Sequence, residues 1–359
     1  MGGASGSGDV VAGVDLGGSS AKIGIVDREG AIRARDRVSI DARAGFDDIF
    51  GPVAAALASL AAASGSGRPA GIGIGTPGFI DAGTGTVVGG SENIPAMLGR
   101  SPSAYLREKL GAPAWVDNDA TCAAAAELAY GAGCGLNGFL LVTVGTGIGG
   151  GLVLDGKIYR GNGHGAAEIG HLRPGLHADR PDQTVESLAS GWGIAAAAQA
   201  RLSDTISHAF VPLTAGLNRG TRDDVRQRLI ETEETAAEYV SDLWDRCGGK
   251  LDQLTAVLVA QAAGEGNEVA RDVLARACQA LGWGIAQAIT LVSPQVVVVG
   301  GGVSLADESL FLLPLRREVE RYVFPPLAGS FEIVPAQLGE QVVVHGALAV
   351  AADRFGQRG

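Results

Sequence analysis

The sequence predicts a two-lobed α/β fold in which a duplicated domain forms each lobe. Residues 10–27 and 139–154 share one pattern, an apolar strand that passes through a glycine turn into a second strand. A chain of 359 residues is also long for a single core and is typical of two domains. The repeated pattern and the length together predict one copy of the domain in each lobe, with a cleft between them.

The composition is typical of a globular protein. Hydrophobic residues make up 46% of the chain and charged residues 19%. The net charge of −11 and the pI near 5.0 predict that nucleic acid is not a partner. No apolar run reaches the roughly 18 residues of a membrane-spanning helix, so no membrane association is predicted.

Two features predict a cytoplasmic location. Residues 1–9 lack the basic and apolar regions of a signal peptide and are predicted to be a flexible N-terminal arm. The four cysteines form no C-x-x-C pair and are predicted to be reduced. They are Cys122, Cys134, Cys247 and Cys278.

The first lobe is predicted to span residues 10–117. After the first hairpin, the pattern predicts a helix over 46–64, a buried strand over 70–75 and a helix over 102–110. Residues 112–131 then predict a short strand that leads into an alanine-rich helix. Asp119 stands at this junction, where the residue type alone predicts a helix N-cap.

The second lobe is predicted to span residues 118–339. The chain is mostly helical from 191 to 291, and its more charged part, 203–249, is predicted to be an exposed helical insertion. Residues 293–304 predict a buried strand followed by a glycine turn and a helix. A last helix, 340–357, is apolar enough to pack back onto the first lobe.

Three glycine-rich turns, at 15–18, 145–151 and 300–302, each follow an apolar strand. Such turns expose backbone N–H groups that bind anions, phosphate above all. None matches the GxxxxGK[ST] P-loop and the first contains no GxGxxG, which disfavours the P-loop and dinucleotide-binding classes. A nucleotide held between two duplicated lobes fits the pattern better.

Eight motifs along the chain resemble those of one family. In order they are DLGGSSAK (15–22), GIGIGTPGFID (71–81), NIP (93–95), VDNDATCAAAAE (116–127), VTVGTGIGGGLV (142–153), GAAEIGH (165–171), ESLASG (186–191) and VVVVGGGVS (296–304). The set resembles the ROK sugar kinases, glucokinase-like members of the actin/hexokinase superfamily, over about residues 10–355. This resemblance implies the two-lobed actin-like ATPase (ribonuclease-H-like) fold, ATP with Mg²⁺, a small-molecule sugar or cyclitol substrate, and a homodimer.

Phosphoryl transfer to a sugar requires positioning, charge neutralisation and a group that accepts the hydroxyl proton. The resemblance implies that Asp119 is this catalytic base, and a carboxylate at a helix start is well placed to accept the proton. It also implies that Asn118 and Asn93 bind sugar hydroxyls. Asn93 has an alternative explanation as a turn residue before Pro95.

On the donor side, the resemblance implies that Asp15 positions Mg²⁺ and the phosphates. Lys22 is either a nearby cation or a solvated strand lysine. The turns are expected to contribute Gly17, Gly18, Thr146 and Gly147 at the phosphates, and Gly301 and Gly302 beside the adenosine. Mg²⁺ is inferred from the reaction class, since it normally travels with the nucleotide.

On the acceptor side, the resemblance implies that Glu168, His171 and Glu186 hold sugar hydroxyls. Most members of the family follow GH with a zinc-binding CxCGxxGC segment, but LRPGLHADRPDQTV has no cysteine here. A replacement site built from His171, His177 and Asp179 or Asp182 matches no established zinc pattern. No protein-bound metal is therefore predicted.

Two further departures concern the substrate. Met97 replaces an aromatic residue of the family and is predicted to loosen a wall near the sugar, and the 203–249 insertion is longer than usual. The default prediction is a glucokinase-like kinase that phosphorylates the primary hydroxyl of a hexose. The alternative is a kinase for a modified sugar or cyclitol, such as an aminosugar or a C7-cyclitol, and polyphosphate stays open as the donor.

Two non-enzymatic classes are disfavoured. A ROK-type transcriptional regulator needs an N-terminal helix-turn-helix, and only 14 residues precede Asp15. A catalytically inactive sugar-binding protein does not fit the joint presence of Asp15, Asp119 and the glycine turns.

Overall fold

A computed structural model describes residues 10–27, 31–65, 68–162, 165–210, 235–339, 342–347 and 349. The first of its two large sheets has the strand order β3-β2-β1-β4-β7. These strands are β1 (Val11–Leu16), β2 (Ser20–Val26), β3 (Ile32–Ser39), β4 (Gly71–Thr76) and β7 (Ala114–Asn118). A separate hairpin, β5 (Phe79–Asp81) and β6 (Thr86–Gly89), follows β4 in the chain.

The second sheet repeats the first, in the order β10-β9-β8-β11-β12. Its strands are β8 (Phe139–Val144), β9 (Ile148–Leu154), β10 (Lys157–Tyr159), β11 (Val296–Gly300) and β12 (Glu332–Pro335). In each sheet the first three strands pair antiparallel. A fourth strand then pairs parallel with the first, and a fifth pairs parallel with the fourth. The duplicated α/β fold is thus confirmed.

Helices α1 (Phe46–Ala63) and α2 (Pro102–Leu110) lie close to the predicted bounds and pack on one face of the first sheet. Among the described helices, α1 alone has the length and apolar composition that a membrane span requires. Its buried face, which includes Phe50 and Leu57, packs into the first core.

The opposite face of the first sheet receives the helical residues 342–347. The fit requires glycine, because a Cβ on Gly73 would overlap the carbonyl of Ala347, and one on Gly13 would lie 2.6 Å from the carbonyl oxygen of Val344. The rest of the predicted helix 340–357 and the predicted arm 1–9 fall outside the described residues, apart from residue 349. The boundary between lobes at residue 117 stays a prediction.

Helix α3 (Asp119–Tyr130) continues directly from β7, which confirms the predicted strand-to-helix junction. Its buried alanines, Ala123 and Ala124, pack with Phe139 of β8 and Val153 of β9. The helix therefore leads from the edge of the first sheet onto the second.

As far as the structure describes the chain, six helices pack on one face of the second sheet, opposite the face that α3 covers. They are α4 (Val185–Ala189), α5 (Gly191–Phe210), α6 (Thr235–Arg246), α7 (Ala256–Gly264), α8 (Glu268–Val292) and α9 (Leu312–Tyr322). Of the predicted insertion, 203–210 belongs to α5 and 235–246 forms α6, whereas 211–234 lies outside the described residues. After β11 the chain forms only a 3-10 turn, Gly302–Leu305, and the predicted helix begins later, at Leu312.

Candidate active site

Asp119 is the first residue of α3, at the end of the edge strand of the first sheet. Its Oδ1 accepts the Ala120 N–H at 2.7 Å. Burial raises the pKa of this carboxyl, and backbone N–H groups oppose the rise. A half-buried carboxylate that has one oxygen fixed and a raised pKa is suited to accept a proton from a bound hydroxyl.

Asn118 caps α3, so the residue-based prediction that Asp119 is the cap is wrong. The Asn118 Oδ1 accepts the N–H groups of Ala120 at 2.9 Å and Thr121 at 3.2 Å, because this side chain turns back onto the first helical turn. Its Nδ2 donates to the Gly78 carbonyl at 3.2 Å. The two lone pairs of the amide oxygen are thereby used, which leaves one N–H for a substrate hydroxyl.

Asp15 lies on β1 opposite Lys22 on β2, with the Lys22 Nζ 3.9 Å from the Asp15 Oδ2. Burial raises the pKa of Asp15 to about 6; Lys22 and Arg37 oppose this rise, and Asp119 adds to it. The carboxylate predicted for catalysis, Asp119, therefore acts electrostatically on Asp15, the carboxylate predicted for the phosphates.

The two hairpin turns differ from the prediction in one position. The Gly17 N–H already donates to the Ser20 carbonyl at 3.0 Å, so we assign Gly17 to the turn itself and not to phosphate binding. Among the described residues, the N–H groups of Gly18, Thr146 and Gly147 have no such partner. Of the turn residues predicted to bind phosphate, these three therefore keep an amide that is available to an anion.

Gly301 and Gly302 follow β11 at the edge of a large cavity. Gly301 has a φ of 90°, and a Cβ there would lie 2.5 Å from the Val144 carbonyl oxygen, so only glycine fits. The cavity has a volume of about 1120 Å³. Its lining includes Thr146, Gly302 and three exposed apolar side chains, those of Trp192, Val257 and Leu305. No local sequence pattern identifies these three side chains, which come from separate elements.

Glu168 lies close to the other acceptor residues. Burial raises the pKa of its carboxyl; His171 opposes the rise, and Asp119 and Glu186 add to it. The 3-10 turn Ile169–His171, which begins directly after Glu168, exposes His171 to solvent. The structure therefore brings three other predicted site residues, His171, Asp119 and Glu186, within electrostatic range of Glu168.

Glu186 also touches the donor side. Its Oε2 accepts the Ile148 N–H at 2.7 Å, and a Cβ on Gly147 would lie 2.6 Å from the same oxygen. The Thr184 capping box fixes the first turn of α4, from which Glu186 projects. One carboxylate thus joins the acceptor residues to the turn at 145–147.

The backbone before Glu168 is strained. Ala167 has a φ of 64°, in the left-handed region that a residue with a Cβ adopts at a cost of about 1–3 kcal/mol. Its carbonyl lies where a Cβ on Gly150 of β9 would sit. Packing against β9 therefore fixes the conformation that presents Glu168.

Asn93 and Met97 are the two residues predicted near the sugar that the structure does not join to the other site residues. Asn93 is exposed after β6, and no hydrogen bond joins it to the other site residues within the described part of the chain. Met97 is fully buried in the first core, so the prediction that it lines the sugar site is wrong; its 3-10 turn directs it into the core. The aromatic side chain that lies near Glu168 is that of Phe79. A Cβ on Gly165 would contact both the Phe79 ring and the Glu168 carboxylate.

The carboxylates suit Mg²⁺ better than zinc. Asp15 and Asp119 offer carboxylate oxygens and act on each other electrostatically, and Mg²⁺ prefers oxygen ligands together with substrate phosphates. Among the described residues, no group of three or more His, Cys, Asp or Glu side chains is arranged to hold a metal. Asp15 would hold Mg²⁺ with the donor phosphates, whose charge the ion would partly neutralise.

Comparisons with known proteins agree with the family resemblance of the sequence motifs. The sequence profile of the ROK family matches residues 11–354. A glucokinase from Thermotoga maritima is 28% identical over 344 residues, which cover 96% of this chain and 98% of that one. A glucokinase from Halalkalibacterium halodurans is 31% identical and covers 93% and 92%. The crystal structure of a ROK family glucokinase from Streptomyces griseus, in complex with glucose and AMPPNP, matches with a TM-score of 0.72 at 28% identity, over 96% of this chain and 99% of that one.

The chain belongs to the ROK family. It has the two-lobed actin-like ATPase fold of the sugar kinases in that family, and it is a phosphotransferase, as the sequence predicts.

Proposed function

We propose that the protein is an ATP-dependent hexose kinase that transfers the γ-phosphoryl group to the primary hydroxyl of glucose. The observation that carries this proposal is that Asp119 acts electrostatically on both Asp15, proposed for the donor side, and Glu168, proposed for the acceptor side, while the Ala120 N–H fixes one of its carboxylate oxygens. In this proposal the sugar oxygen attacks the γ-phosphorus, the bond to the β-phosphate oxygen breaks, and the hydroxyl proton passes to Asp119.

The donor cavity supports a nucleotide rather than polyphosphate. Its walls are mainly apolar, and its ionisable lining side chains are the acidic Asp252, Glu265 and Asp307, with no Lys or Arg from the described residues. A nucleoside would bury apolar surface there, whereas a chain of phosphates would face carboxylates. The amides of Gly18, Thr146 and Gly147 are then available for the triphosphate.

The acceptor residues support a polyol. Glu168 and Glu186 supply hydrogen-bond acceptors for hydroxyl groups, His171 supplies an imidazole, and Asn118 supplies one donor. The names of the glucokinase relatives and the glucose bound to the Streptomyces griseus enzyme favour glucose. The buried position of Met97 removes one argument for a modified sugar or cyclitol, and the cysteine-free loop after His171 and the 203–249 insertion remain as the others.

A coupled assay of ADP formation tests this proposal with glucose, other hexoses, aminosugars and cyclitols as acceptors. The expected result is the highest kcat/KM for glucose with Mg-ATP, and little turnover when polyphosphate replaces ATP. Preference for an aminosugar or cyclitol would establish the alternative, and preference for polyphosphate would contradict the assignment of the cavity. The homodimer and the cytoplasmic location stay predictions.

A further inference from the structure

A mostly buried ion pair joins the edges of the two sheets. The Arg160 Nε donates to the Asp117 Oδ2 at 2.8 Å, and the two side chains are only 19% and 12% exposed. Asp117 belongs to β7, the edge strand of the first sheet, and Arg160 directly follows β10, the edge strand of the second. Trp115 and Ile158, two residues earlier on each strand, pack against the same residues of α3. The ion pair therefore bridges the two strands beside the start of α3.

On one side, the pair holds the peptide that precedes the proposed base. The Asp117 Oδ1 accepts the Asn118 N–H at 2.9 Å, so the carboxylate binds Arg160 with one oxygen and the backbone with the other. Asn118 in turn caps α3 and holds Gly78. A movement of Asp117 would therefore displace both the cap and Asp119.

On the other side, Arg160 begins the segment that leads to Glu168. Its carbonyl accepts the Gly165 N–H at 3.3 Å, three residues before Glu168. The same residue thus contacts the strand of Asp119 through its side chain and the segment of Glu168 through its backbone. Loss of the guanidinium would leave the mostly buried Asp117 carboxylate unpaired, and such a group moves toward water.

We propose that Arg160 is a positioning residue for phosphoryl transfer, which through Asp117 sets Asp119 against the hydroxyl held by Glu168. The proposal rests on the proposed function, because it assigns Asp119 and Glu168 their roles. Arg160 would act on the alignment of Asp119 with the sugar hydroxyl and not on the binding of ATP. Its loss should therefore lower kcat and leave the KM for ATP unchanged.

A double-mutant cycle tests this, with kcat and both KM values measured for the wild type, Arg160→Met, Asp117→Asn and the double variant. Arg160→Met should lower kcat about 10- to 100-fold, because small misplacements of reacting groups have effects of this size. The double variant should be no worse than Arg160→Met, since both changes remove one interaction. Arg160→Lys should recover part of the lost kcat, because it restores the charge. Arg201→Met, which removes the 2.6 Å ion pair with Asp272 far from these residues in the chain, is the control and should keep wild-type kcat.

The proposal is overturned if Arg160→Met keeps wild-type kcat, or if the effects of the two single changes multiply in the double variant. Should Arg160→Met not fold, Arg160→Lys and Asp117→Asn carry the same comparison, and unchanged kcat in both would overturn it. If Asp119→Asn remains active, or if the wild type phosphorylates no sugar, the proposed function fails and this inference with it. If Asp119→Asn is inactive and Arg160→Met is unaffected, only this inference fails.

Discussion

The halves of the site that we propose for the acceptor and for the donor differ in their chemistry. The acceptor half gathers ionisable side chains, and burial raises the carboxyl pKa values of Asp119 and Glu168. The proposed donor half is a cavity of about 1120 Å³ with mainly apolar walls, and we propose that the backbone N–H groups of the glycine turns bind the phosphates there. The acceptor half thus depends on a few charged groups, whereas the donor half depends on the shape of a cavity that many residues line.

This difference determines how each half should respond to substitution. Removing one partner of a hydrogen bond leaves the other unsatisfied, at a cost of about 1–3 kcal/mol, and more when a charge is involved. Replacing one side chain of an apolar wall removes only the hydrophobic binding energy that this side chain contributes. Substitutions in the acceptor half should therefore have the larger effects.

The largest effect is expected for Asp119→Asn. The asparagine retains an oxygen for the Ala120 N–H but cannot accept the hydroxyl proton, so kcat should fall about 10²- to 10⁴-fold. Sugar affinity, measured by calorimetry, should change little. Asp179→Asn, in the exposed loop after His171, is the control. A variant at Asp119 that keeps more than half of the wild-type kcat would contradict the assignment.

Next come the three residues that we propose to hold sugar hydroxyls. Glu168→Ala, His171→Ala and Glu186→Ala should each lower kcat/KM for the sugar roughly 5- to 150-fold, from the cost of an unsatisfied hydroxyl. Steady-state kinetics should also separate them, because only Glu186 holds the Ile148 N–H beside the phosphate turn. We expect Glu186→Ala to raise the KM for ATP as well.

His177→Ala is the control for these three variants, since His177 is exposed in the same loop. Damage from His177→Ala equal to that from His171→Ala would contradict this view of the loop. So would a Glu186→Ala variant that weakens ATP but leaves the sugar kinetics unchanged.

The pH dependence of kcat/KM for ATP tests the donor side. Burial raises the pKa of Asp15 to about 6, so the ionised carboxylate, which we propose to hold Mg²⁺, is lost as the pH falls through this value. Activity should then fall about tenfold per pH unit below the pKa. Because Arg37 favours the ionised form, Arg37→Met should raise the pKa and move the decline to higher pH.

Arg35→Met provides the matched control, because Arg35 lies on the same strand as Arg37 but has no such effect on Asp15. An unchanged pH profile in Arg37→Met would show that a group other than Asp15 causes the decline.

The sequence predicts the two halves unequally well. Hairpins, glycine turns and the junction at Asp119 depend on local patterns, and the structure agrees with them apart from the roles of Asn118 and Gly17. The direction of Met97 depends on packing within its turn, which the motif does not contain. The Asp117–Arg160 pair joins residues 43 positions apart, and the donor cavity combines still more distant elements, so no local signal identifies them.

The smallest effect is expected at the donor wall, for Trp192→Ala. Trp192 is the second residue of α5, lines the cavity and is 46% exposed, so its indole is available to a nucleobase. Aromatic contacts contribute about 0.5–1.5 kcal/mol, which corresponds to a rise in the KM for ATP of about 2- to 12-fold. The backbone contact from the Trp192 N–H to the Thr146 carbonyl does not depend on the side chain, so the phosphate turn and kcat should be preserved. Trp192→Phe keeps an aromatic face and should stay close to the wild type. If Trp192→Ala instead lowers kcat/KM for the sugar and leaves the KM for ATP unchanged, Trp192 belongs to the acceptor half, and the division of the site into a charged half and an apolar half is wrong.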